Sequence, residues 1–90
     1  GDIPSKGFLK GLDLLESEAW MAFNIKERFL YETRETGFAR LIDQLRSDKI
    51  LRIEAFRRYR HRFSTAGEPL HYVAVVARKL RDLPDHYLQG

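Results

Sequence analysis

Arg52-Ile53-Glu54-Ala55-Phe56-Arg57-Arg58-Tyr59-Arg60-His61-Arg62-Phe63 is the stretch on which the fold turns. At helical spacing, Phe56, Tyr59 and Phe63 fall on one side and the arginines on the rest. At a spacing of two, Tyr59, His61 and Phe63 share a face and the run becomes a strand. Five arginines and a single acid occupy these twelve positions. Forked guanidinium donors interleaved with aromatic rings are the groups that phosphates and bases attract.

The residues on either side leave both geometries open. Downstream, Ser64-Thr65-Ala66-Gly67-Glu68-Pro69 is the clearest loop in the chain. Beyond it, Val73, Val76, Ala77 and Leu80 recur at helical spacing, with Pro69 suited to a first helical turn. The same segment, Leu70 to Val76, is also rich in strand formers. Pro84 stands where a last helix stops. Upstream, Phe38, Leu41, Ile42 and Leu45 form an amphipathic stripe, and Phe38 to Ala66 contains neither Gly nor Pro. A helix running on to about Phe63 is therefore allowed, with Ser47-Asp48-Lys49 as a break or a polar turn within it.

Near the N-terminus, Phe8, Leu12, Leu15, Ala19 and Phe23 fall at helical spacing, and Leu12 to Thr36 is free of Gly and Pro. A long first helix over 12–36 is predicted, with Gly37 as a left-handed cap. The expected fold is all-α, a small bundle of three to four helices. The alternative is three helices followed by a C-terminal β-hairpin, in the manner of a winged helix. Residues 1–90 are read as one small domain, with Gly1 in the place of an initiator Met suggesting a piece of a longer protein. Residues 1–6 and 85–90 are expected to be loose termini.

Hydrophobic residues make up 43% of the chain and aromatic residues 12%, enough for a packed core. There is no cysteine, which excludes a disulfide framework, a thiolate nucleophile and Cys-ligated metal. No apolar run reaches the length of a membrane helix, so no membrane partner is expected. No basic segment leads into an apolar one near the start, and an intracellular location, cytoplasmic or nuclear, is expected. The charge is uneven. Residues 1–50 carry eight Lys/Arg and nine Asp/Glu, while residues 51–90 carry eight against four.

Catalysis has little to stand on. Metal binding needs His61, His71 or His86 to converge with carboxylates, and Pro84 breaks the register between Asp82 and His86. Glu27, Glu32 and Glu35 each have a basic neighbour, the pattern of surface ion pairs. No serine lies in a nucleophile elbow, and no Gly-rich phosphate loop occurs. A non-catalytic domain with no metal and no cofactor is expected. Its first candidate function is nucleic-acid binding through Arg52, Arg57, Arg58, Arg60 and Arg62, widened by Lys79 and Arg81. Tyr59, His61 or Tyr72 would stack on bases where exposed. The competing expectation is a protein-interaction module that docks on an acidic protein surface or forms a homodimer through Trp20, Phe23, Phe29 and Phe38.

Overall fold

A computed structural model of the chain describes residues 4–31, 37–61 and 70–89. In chain order these form helix α1 (Pro4–Leu14), strand β1 (Trp20–Lys26), helix α2 (Arg28–Tyr31), helix α3 (Phe38–Ser47), strand β2 (Leu51–His61) and strand β3 (Leu70–Lys79). A single 3-10 turn follows at Asp85–Tyr87. The three strands make one antiparallel sheet in the order β1-β3-β2, so β3 is central and β2 is an edge.

The all-α bundle is overturned, because Trp20–Lys26, Leu51–His61 and Leu70–Lys79, all expected to be helical, lie in this sheet. The alternative of helices followed by a two-stranded hairpin also falls short, since Trp20–Lys26 adds a third strand beside β3. The long first helix ends at Leu14. Leu15 still bonds back to the Leu12 carbonyl at 3.2 Å, and Glu18 then adopts φ 71°, a conformation no right-handed helix contains. Pro4 opens α1, at the position where a missing N–H costs nothing.

Alternation decides the strands. In β3, Val73, Val75, Ala77 and Lys79 are buried, while the residues between them are half-buried on the opposite face. Their partners on β1 follow suit, with Phe23 opposite Val75 and Ile25 opposite Val73. Three valines within four residues favour this pleated surface, where branched side chains pack against their neighbours. In β2 a bulge at Glu54 interrupts the ladder between Ile53 and Ala55. Leu51 and Ile53 therefore face the core before it, and Phe56 and Arg58 take that side after it.

The described helices cover one face of the sheet only. Leu12, Leu45, Ile50, Leu51, Ala77 and Leu83 form one buried cluster, and Ile25, Phe38, Val73 and Val75 form a second. Phe8, Phe23 and Phe38 meet edge to face, with centroids 4.9, 5.4 and 6.3 Å apart, and join α1, β1 and α3. Helix α3 ends in a Schellman motif. Ile50 N–H donates to the Leu45 carbonyl and Lys49 N–H to that of Arg46, with Lys49 left-handed at φ 62°. Leu45 and Ile50 are both fully buried, which supplies the apolar contact the motif brings with it. Gly37 is left-handed at φ 64°, but it precedes α3 as its N-cap.

Lys79 continues the buried register of β3 and is 1% exposed. Its ammonium donates to the carbonyl of Leu12 at 2.7 Å and to that of Leu15, with Asp82 Oδ1 3.9 Å away. Both carbonyls lie at the end of α1, where the helix dipole presents its negative pole. A buried cation thus closes α1 onto the sheet.

Candidate nucleic-acid interface

The face of the sheet turned away from the helices is built by strand alternation. Four rows cross it: Lys26-Tyr72-Tyr59, Asn24-Ala74-Arg57, Ala22-Val76-Ala55 and Trp20-Arg78-Arg52. No described helix contributes a residue to it, because both buried clusters lie on the other side. The two end rows carry aromatics and cations. The two middle rows are floored by small side chains.

At one end Tyr59 and Tyr72 stack, with centroids 5.8 Å apart and planes 20° from parallel. The Tyr59 hydroxyl donates to Asn24 Oδ1 at 2.9 Å. Two inter-strand spacings of about 4.8 Å separate β2 from β1, so the Tyr59 side chain has to lie along the sheet to reach it. At the other end Trp20 is 57% exposed, with the Arg78 guanidinium 5.7 Å from its ring centroid. Arg78 Nε donates to the Glu18 carbonyl at 3.4 Å, and Nη2 lies 3.9 Å from Glu18 Oε2.

The arginines expected to form one patch are divided between the two faces. Arg52 and Arg57 belong to the open face, Arg52 with Nε bonded to Glu54. Arg57 is exposed and makes no ion pair with a described acid. Arg58 and Arg60 project to the helix side, where Arg58 Nε lies 3.0 Å from Glu27 Oε1. Arg62 lies outside the described residues. Lys79 leaves the patch altogether, being buried under α1. Arg81 is exposed, but its guanidinium donates to the Asp48 carbonyl at 2.8 and 3.3 Å. Lys26 and Arg78 take their places on the open face, and sequence reasoning left both out of the site. Their signal was present: each alternates with buried residues, Lys26 after Ile25 and Arg78 between Ala77 and Lys79.

The proposed aromatic stripe comes apart in the same way. Phe38 is 1% exposed, and Phe23 and Phe29 pack against the second buried cluster. Trp20 alone of the four is exposed, and it faces the opposite direction. Phe56, which helical spacing groups with Tyr59 and Phe63, is 53% exposed on edge strand β2. It lines an apolar groove of about 440 Å³ shared with Phe23, Leu30, Ile42, Ile53 and Val75.

No group of three or more His, Asp or Glu among the described residues is placed to hold a metal ion. No buried side-chain N or O among them lacks a hydrogen-bond partner. None of the described helices is long and apolar enough to cross a membrane. The perturbed titratable groups lie elsewhere, where Tyr87 donates to Asp48 on the helix side. The Tyr87 bond, then that of Gln44, holds the Asp48 carboxyl below its usual 3.8. Burial, then the Asp48 bond, pushes the Tyr87 phenol up to about 12.

The chain matches no protein-family model, no curated protein and no solved structure. The functional reading rests on the residues themselves.

Proposed function

We propose that this domain is a non-catalytic binding module for nucleic acid and that the open face of its sheet is the binding surface. The observation that carries this reading is the company Arg57 keeps. It shares one face, to which no described helix contributes, with the Tyr59–Tyr72 stack, with Lys26, Arg52 and Arg78, and with exposed Trp20. Cations neutralise phosphates and release counterions, and aromatic faces accept bases, so the combination suits a polyanion with π surfaces.

The test is fluorescence anisotropy with labelled oligonucleotides over a series of salt concentrations. Affinity is expected to fall steeply with salt, and Arg57→Glu to weaken it strongly. Arg60→Glu, on the other side of the same strand, is expected to change it little. Equal loss in the two variants places binding off the open face, and absence of any binding at low salt ends the proposal.

A second reading, association with a protein surface or a second copy of the chain, draws on exposed Trp20 and on Phe56 with its groove. A mass that rises with concentration in light scattering and falls on Trp20→Ala would favour it. Its weakness is that these two aromatics face opposite ways, so no single apolar patch joins them.

A further inference from the structure

Resting on the nucleic-acid reading, we infer that the open face takes a single strand, with unpaired bases stacked at its two ends and phosphates held between them. Three observations lead there. First, aromatic rings stand at both ends of the face, the Tyr59–Tyr72 stack at one, with the Tyr59 hydroxyl anchored to Asn24, and exposed Trp20 at the other. A base can settle on such a ring only if its own face is free, and in a duplex that face is covered by the neighbouring pair. Second, the rows between the aromatic ends are low. Ala22, Val76 and Ala55 stand above the sheet by no more than a branched methyl pair, which leaves a shallow trough beside the Tyr59 phenol tied across the Ala74 row. A duplex groove is read by something that protrudes into it, such as a helix or a ribbon, and the described open face offers no such element. Third, the cations flank the trough: Arg57 and Arg52 stand along β2, Lys26 along β1, and Arg78 at the Trp20 end.

The scale agrees. Trp20 and Tyr59 are aligned with Arg78 and Tyr72, six residues apart on β3, a distance of about 20 Å along a strand. That length accommodates a few nucleotides in an extended chain, at the lower end of what small single-strand modules cover. The polar groups of the middle rows are Asn24, whose oxygen accepts from Tyr59, and Arg57, whose donors suit phosphate oxygens. Selectivity among bases is therefore weak, since stacking tolerates every base.

Trp20 is the only tryptophan in the chain, so its emission reports directly on one end of the trough. The experiment titrates the whole domain at low salt with oligothymidylate and, separately, with a duplex of equal length, following tryptophan fluorescence and anisotropy together. Single strand is expected to quench Trp20 and to bind at least about tenfold more tightly than duplex. Trp20→Leu should weaken single-strand binding by roughly tenfold, and Trp20→Phe should restore most of it. Thermal melting of each variant separates lost binding from lost fold. Duplex bound as tightly as single strand, or Trp20→Leu binding like wild type, overturns the single-strand assignment while leaving nucleic-acid binding intact. Failure of both nucleic acids to bind overturns the two readings together.

Discussion

The Tyr59 hydroxyl bonds Asn24 at 2.9 Å, so a side chain of one edge strand is tied to the other edge above the central strand. The link passes over Ala74, which pairs with both Asn24 and Arg57 and has no side chain tall enough to block it. A sheet covered on one face only gains from such a brace, because nothing described packs on the other face to keep its edges in register.

Removing the hydroxyl tests the brace. Tyr59→Phe keeps the ring and its stack on Tyr72 but loses the bond, and it should cost about 0.5–1.5 kcal/mol in urea denaturation. Ala74→Leu should cost at least as much, since the ring is then lifted from its path.

Lys79→Met is expected to be among the most damaging single changes. It keeps the volume of the side chain and leaves the carbonyls of Leu12 and Leu15 without their shared donor. The expected loss is about 2–4 kcal/mol by urea denaturation. Arg57→Ala, on the solvent side, should stay within about 0.5 kcal/mol of wild type.

Backbone conformation and residue type disagree at Gly7, Gly11 and Lys49, and exchanging these residues should stabilise the domain. Gly7 and Gly11 lie within α1 with nothing within 4 Å of where a Cβ would stand, so alanine at each should add about 0.5–1 kcal/mol. Lys49 occupies the left-handed position of the Schellman motif, where glycine avoids the strain, and Lys49→Gly should add a similar amount. Differential scanning calorimetry of the triple variant should show a rise in Tm of roughly 5–10 °C or more. Gly37→Ala, at φ 64°, should move Tm the other way.

The Tyr87–Asp48 contact has a definite pH signature. A carboxyl depressed by folding contributes stability above its unfolded value of 3.8 and loses it as the pH falls through the lower folded value. A phenol raised from 10.0 to about 12 contributes below its unfolded value and loses that contribution as the pH rises towards 12. Tyr87→Phe should therefore differ from wild type most between about pH 5 and pH 9, with the difference shrinking in acid. In an ultraviolet titration of the four tyrosines, the late phenolate step near pH 12 should be missing from the variant.

The sequence carried more of the fold than a helical spacing brings out. Met21, Phe23 and Ile25 alternate with Trp20, Ala22, Asn24 and Lys26, yet Phe23 also completes a stripe with Phe8, Leu12, Leu15 and Ala19. Both periods fit, and only the partner strand, far away in the chain, settles which one is used. Lys79 was harder to place. A lysine is almost never fully buried, and its role exists only because the end of α1 lies above it. The arginines of β2 were visible, but the sides they take were not. One residue of strand reverses a side chain's direction, and the bulge at Glu54 has no mark in the sequence that an ordinary acid would lack.

That bulge has an electrostatic consequence. In an uninterrupted ladder Arg52, Arg58 and Arg60, all at even positions, would crowd one surface. The extra residue changes the parity midway, so like charges are spread around the strand instead of being lined up along it. The ribbon formed by β2 and β3 is basic on two sides, and its potential depends less on the direction from which a polyanion approaches.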